Sequence, residues 1–349
     1  MATKSTPKKT KRNILKTLSL SSSQPILALA PMAGFTDLPF RLLCKKYGAD
    51  LVFSEMVSAA GIAHQKKNSL LKTLSLVQSV EKEAPFFVQL FGENFKDFER
   101  AALFISSLEK NKKGKLPFLR RPEGIDLNFG CPVRKIIKQG AGCALMKDIK
   151  KSREIIKAVT QNTSLPVSIK IRAGIEKVNA LYFLEKISDL DWKIVTIHAR
   201  TFEQGFSGKP NWILVKKIKK LFPNKIVLAN GAIFSPLEAQ KVLKKTSADG
   251  VAFARGALED PTIFRQTKLL LFSEKTPPEK FFFSKKSLLQ KKLLAQKHLQ
   301  LAFQFKKDQS FPAIKKQLLW YFRGLSFGKE FRKKISQAAS LEELKKILT

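Results

Sequence analysis

Eight short runs of β-type apolar residues recur between residues 26 and 254, and a stretch with helical spacing follows each. They are ILALA (26–30), LVF (51–53), FFVQL (86–90), GIDLN (124–128), VSIKI (167–171), IVTIH (194–198), IVLAN (226–230) and GVAFA (250–254). Strands that alternate with helices require a parallel sheet covered by helices. Eight such units in about 230 residues match the usual size of a (β/α)8 TIM barrel, an α/β fold. A doubly wound sheet is the weaker alternative, because no strand is followed by a GxGxxG turn and GAGC at 140–143 lacks the third glycine.

The residues that follow the strands narrow the reading. In order come PMAG, SEM, FG, FGCP, RAG, ARTFEQG, GA and RGA, so polar and glycine-rich residues gather at the carboxyl ends, where barrel enzymes build their sites. In VSIKIR the apolar Val167, Ile169 and Ile171 share one face, while Ser168, Lys170 and Arg172 share the other; in IVTIHAR the polar face is Thr196, His198 and Arg200. With helices covering the outside, the polar faces point to the axis, and Gln89, Asn128, Lys170, His198 and Arg200 are predicted to converge on one mouth. A lone Lys or His in a strand carries no message. A packed core would have to satisfy every member of this set, which argues for a site.

Charge points to the partner. The chain of 349 residues carries 65 Lys and Arg against 28 Asp and Glu, a formal net charge of +37. That is far more than solubility needs and attracts a polyanion, with nucleic acid the first candidate and compositional drift toward lysine the bland alternative. Residues 1–24, with six basic residues among them and no acid, read as a disordered basic tail. Residues 25–264 form the barrel, and from 265 to 349 the strand pattern gives way to helical spacing, which makes the rest a C-terminal all-helical domain. There Leu294, His298, Leu301 and Phe305 form one stripe, which makes His298 a half-buried core residue; Ile314, Leu318, Tyr321, Phe322 and Leu325 form a second, with Lys316 and Arg323 on another face. Lysine-rich residues 111–124 precede the fourth strand and are expected as a solvated loop at the rim opposite the mouth.

No apolar run approaches the roughly 20 residues of a membrane span, and PILALAPMAG is too short and too broken by proline for a signal peptide. Three cysteines with no paired framework fit a reducing cytoplasm, and neither they nor the three histidines fall at metal-ligand spacing. No membrane and no metal are therefore expected, and the chain is expected to work as a monomer.

Cys131 lies in NFGCP. Pro132 disfavours a helical backbone at the residue before it, so the thiol sits on an extended segment leaving a strand. A small buried cysteine is the competing reading, and these residues alone do not choose between them. A protease pair with His198 lacks the orienting third group.

In this order, PMAGFTDLPFR, SEM, QLFG, NFGCP, KIRAG, HARTFEQGFSG, ANGAI and ARGAL resemble the tRNA-dihydrouridine synthases. KKQLLWYFRGL followed by SLEELKKIL resembles the helical domain of their bacterial B-type branch. The resemblance implies FMN at the barrel mouth, NADPH or NADH as a transient reductant, and tRNA as the partner of the helical domain. It implies Pro31, Met32 and Ala33 along the flavin, Gln89 and Lys170 bonded to it and His198 in support. Asn230, Gly231, Ala232, Ala254, Arg255 and Gly256 would lie at its phosphate end. Cys131 matches the proton donor of the family, Asn128 and Arg200 match positions facing the uracil, and Lys316 and Arg323 fall on the helical face expected to hold RNA. The chemistry agrees: saturating the C5=C6 bond of uracil takes a hydride at one carbon and a proton at the other. An ordinary cysteine, with a pKa of about 8.5, is mostly protonated near neutrality and can donate.

Four positions depart from the family pattern. Ala232 stands where an aspartate is usual, Ala254 where glycine is common, Cys143 where alanine is, and Gln317 replaces a histidine before the Trp-Tyr pair. Two other readings keep or drop the chemistry. The same reduction on ribosomal RNA or a free pyrimidine is one, although a free pyrimidine leaves the basic helices without a task. An RNA-binding protein on a retired barrel is the other, and it would have lost the mouth residues that this sequence keeps.

Overall fold

The computed structural model describes residues 14–18, 20, 23–64, 67–108, 118–272, 287–306, 311–325 and 328–349. Among the described residues nine strands occur: β1 (Ile26–Leu29), β2 (Leu51–Ser58), β3 (Phe86–Phe91), β4 (Gly124–Phe129), β5 (Val167–Ile175), β6 (Val178–Asn179), β7 (Ile194–Thr201), β8 (Ile226–Asn230) and β9 (Gly250–Phe253). All but β6 are parallel to their neighbours. The ring runs β1-β2-β3-β4-β5-β7-β8-β9 and closes where β9 pairs with β1, Leu27 opposite Val251. This is the expected (β/α)8 barrel. The extra pair is a short antiparallel hairpin of β5 with β6, and β2, β5 and β7 run further than their apolar cores suggested because polar residues continue them.

Strand alternation sorts the side chains into two layers. Leu27 and Leu29 of β1 pack outward with Phe40, Phe98, Ile155 and Phe264 in the main core between sheet and helices. Ile26 and Ala28 turn inward with Phe53, Phe87, Ile194, Leu228 and Ala252 to fill the lower barrel. An apolar plug at one end leaves the polar inward residues to the other. Polar side chains set the helix starts after the strands: Asp37 accepts from the Phe40 amide at the head of helix Leu38–Lys46, and Ser235 with Glu238 forms a capping box on Pro236–Thr246.

Three expectations are corrected. Most of the basic tail lies outside the described residues, but residues 14–18 form a helical turn whose Leu15 and Leu18 are buried in the inward layer beside Ile26 and Phe53. Two leucines three apart give an otherwise polar segment an anchor under the barrel. The boundary at 265 cuts through helix Ile263–Phe272, which belongs to the barrel: Ile263 and Phe264 sit in the main core, with Phe264 edge-on to Phe253. Helical spacing looks the same whether a helix covers a sheet or joins a bundle. His298 is fully buried, not half-buried, and its Nδ1 lies 2.8 Å from the Tyr321 hydroxyl.

Of the lysine-rich insertion, residues 109–117 lie outside the described set. Residues 118–123 sit at the amino-terminal rim as expected, although Arg120 is buried there and bonded to Glu123 and Ser79.

Helices Leu288–Lys306, Phe311–Tyr321, Gly328–Gln337 and Leu341–Leu348 form a second core that takes in Leu43 and Tyr47 from the first barrel helix and its cap. Polar bonds fix the join. Gln317 Nε2 donates to the Phe35 carbonyl at 2.6 Å and to Asp37 Oδ1 at 3.1 Å, and Lys306 Nζ lies 3.3 Å from Asp37 Oδ2. The loop after β1 is thereby held from above by the helical domain. No described helix is long and apolar enough to cross a membrane.

Candidate active site

A cavity of about 510 Å³ opens at the carboxyl ends of the strands, within the range of small-ligand and cofactor sites. Pro31, Met32, Ala33, Gln89, Asn128, Cys131, Lys170, His198, Asn230, Gly231, Ala232, Ala254, Arg255 and Gly256 all line it. Arg200 does not. Its side chain is buried, with Nε donating to the Gly208 carbonyl at 2.9 Å and Nη1 without a hydrogen-bond partner among the described residues. Lys316 and Arg323 are exposed on the rim: the Lys316 amine lies 4.1 Å from the Phe35 ring centre, and the Arg323 guanidinium 4.5 Å from that of Trp320.

Cys131 is only 9% exposed, yet it is presented to the cavity and not lost in the core. Asn128 Oδ1 accepts from the Gly130 and Cys131 amides at 3.1 and 2.9 Å, and the Cys131 carbonyl accepts from the Cys143 amide at 3.1 Å. Gly142 packs so close that a Cβ there would fall 2.9 Å from that carbonyl, so the turn is pinned on both sides. Asn128 and Gln89 face the cavity, but their amides are partly committed to each other: Asn128 Nδ2 donates to Gln89 Oε1 at 3.0 Å. Cys143 is buried on the far side, its thiol pushed up to about 12 by burial and thus inert.

The electrostatics are one-sided. No carboxylate lines the cavity among the described residues, whereas Lys170, Arg172 and Arg255 do. The Lys170 amine makes no hydrogen bond to a described residue; burial, then Arg172, lowers it to about 8 against the opposing pull of Asp126. Arg255 stacks on Phe206 and Phe234, 4.6 and 5.3 Å from their ring centres, leaving its N–H edge for a ligand. His198 is held neutral, its pKa driven to about 2 by burial and then by Lys170, Arg172, Arg200 and Arg255. It can therefore bond but not act as an acid. Such a field awaits an anion.

Sequence reasoning missed Arg172 and Trp320 as site residues. Arg172 Nε donates to the Gly130 carbonyl at 3.1 Å, and its Nη1 donates to the Thr201 and Gly205 carbonyls at 2.9 and 3.1 Å, which ties the cysteine turn to the loop after β7. Its place two residues beyond Lys170 was the available signal. Trp320 comes from the helical domain, stands edge-on to Phe35 with centres 6.0 Å apart, and closes one cavity wall. Nothing local announced it.

A family model described as dihydrouridine synthase matches residues 28–349. "Probable tRNA-dihydrouridine synthase 1" of a Synechocystis strain is 30% identical over 323 residues, spanning 91% of this chain and 84% of its own length. "tRNA-dihydrouridine synthase B" of Xanthomonas axonopodis pv. citri is 32% identical over 321 residues, spanning 91% and 90%. Among solved structures, histamine dehydrogenase from Rhizobium sp. 4-9 superposes with a TM-score of 0.51 at 13% identity, over 79% of this chain and 49% of that one, a likeness of fold alone. With the match running from the first strand to the last helix, across the barrel and the helices that close its mouth, the chain belongs to the dihydrouridine synthase family.

Proposed function

We propose that this protein is a tRNA-dihydrouridine synthase, a flavin-dependent oxidoreductase that saturates the C5=C6 bond of uridines in tRNA. The observation that carries the reading is one cavity onto which a cysteine thiol, Lys170 and Arg255 open together, with no carboxylate lining it among the described residues.

The residues present fit FMN. Arg255, with its N–H edge free of any described partner, and the backbone around Gly231 and Gly256 suit a phosphate. The β9 loop approaches the β8 loop closely because residue 256 is a glycine: a Cβ at Gly256 would fall 2.4 Å from the Ile233 carbonyl. Pro31, Met32 and Ala33 offer an apolar edge, while Lys170 and Gln89 offer donors for a polar ring. His198 and Asn230 complete that side, with Ala232 and Ala254 spacing the loops. When bound, FMN supplies the hydride after reduction by NADPH or NADH.

The protein's own part is the proton. The Cys131 thiol gives its proton to the second ring carbon and is left as thiolate, which solvent at the open mouth reprotonates before the next turnover. Asn128 holds the turn that carries the sulfur, and His198, held neutral, does not compete with the thiol as an acid. A uridine must leave its stack to reach the cavity, at a cost of a few kcal/mol. Rim contacts from Lys316 and Arg323 to the RNA backbone offset that cost, with Trp320 and Phe35 as the aromatic wall beside the entering base.

The test is to record the flavin spectrum of the purified protein and to map dihydrouridine in RNA from cells with and without the gene. Cys131→Ala keeps the yellow colour and loses most RNA reduction; unchanged turnover removes the thiol from the mechanism.

A further inference from the structure

Beneath the cavity floor lies a carboxylate that none of these steps uses. Asp126, on β4, is fully buried. Its Oδ1 accepts from the Ser168 hydroxyl and its Oδ2 from Gln89 Nε2 at 2.6 Å. An ionised carboxylate only accepts, so it sets which way the Gln89 amide lies. Oε1 of Gln89 must then face Asn128, whose Nδ2 donates to it at 3.0 Å, and this turns Asn128 Oδ1 toward the Gly130 and Cys131 amides. The chain runs from an acceptor-only group to two donor-only groups, and both amide orientations between them are determined. Burial raises Asp126 to about 6, against the two hydrogen bonds and Lys170, which leaves it ionised at neutral pH.

We propose that Asp126 is a positioning residue for the reaction, the head of a hydrogen-bond chain through Gln89 and Asn128 that fixes where the Cys131 sulfur stands. The inference rests on Cys131 being the proton donor of the proposed function.

The test uses flavin-loaded full-length protein and two readouts, steady-state RNA reduction and the rate at which iodoacetamide alkylates Cys131. Cys44 and Cys143 are fully buried, so alkylation reports on Cys131. Asp126→Ala, assayed at saturating FMN because the Gln89 it releases also faces the flavin, is expected to lower kcat about 100-fold by displacing the donor and to change the alkylation rate several-fold. Asp126→Asn keeps an acceptor for Gln89 if the Ser168 hydroxyl turns from donor to acceptor, and it recovers most of both losses. Wild-type kcat and alkylation in Asp126→Ala would overturn the proposal. So would loss of turnover in Asp126→Asn with normal alkylation, since the charge would then matter and not the chain; that variant decides alone should Asp126→Ala not fold. Cys131→Ala separates the two claims: wild-type turnover there removes the thiol as donor, while the alkylation rates still decide whether Asp126 places the sulfur.

Discussion

Lys170 offers the sharpest test of the proposed cofactor site. Its amine opens on the cavity without a hydrogen-bond partner among the described residues, and burial holds it near 8 in the ligand-free protein. A polar flavin ring would give that ammonium a partner, and a hydrogen bond involving a charged group is worth about 1.5–3 kcal/mol. Lys170→Met, which keeps the length of the stem, should therefore weaken FMN binding by about 10- to 100-fold. The pH dependence has a definite sign. Above about 8 the free amine is neutral, while the complex favours the charged form, so binding takes up a proton and affinity falls as pH rises. Wild-type protein should bind about tenfold more weakly at pH 9 than at pH 7, and Lys170→Met should show no such slope. Quenching of flavin fluorescence on titration with flavin-stripped protein measures both quantities. A variant that binds as tightly as wild type, or a wild-type affinity flat across this range, would refute the role assigned to the lysine.

Acid should destabilise the fold through its buried histidines. His198 and His298 stay neutral down to about 2 and about 4, whereas the unfolded chain protonates near 6.5, so stability is lost as pH falls below that value. Asp126, raised to about 6, works in the opposite direction, and the three together predict a loss of about 2 kcal/mol between pH 6.5 and pH 5, readable from urea midpoints at fixed flavin. Replacing Lys316 and Arg323 together by alanine should flatten the log–log salt dependence of RNA binding by about 1.5, and an unaltered slope would mean those side chains merely face water. Gly231→Ala places a Cβ 2.6 Å from His198 Cδ2 at a φ of +115°, which should cost about 1–3 kcal/mol and displace the imidazole. A normal melting temperature with full flavin content would show that the loop gives way freely.

The barrel was legible from local pattern because a strand's two-residue period and a helix's 3.6-residue period are written into every segment. The polar ends of β3, β4, β5 and β7 were legible for the same reason, since alternation states which face each side chain takes. Local pattern says that a face is buried but not what it meets. Leu15 and Leu18 became a plug only once the barrel stood over them, and helix Ile263–Phe272 became the last barrel helix only by meeting Phe253. Arg200 shared the polar alternation of His198 yet does not line the cavity and bonds the Gly208 carbonyl instead. Trp320 reached the mouth from a distant helix because Gln317 fastens that helix to the loop after β1. Sequence alone determined which residues could carry the chemistry; closure of the ring decided which of them face one another, because distances between elements are set by packing and not by any one segment.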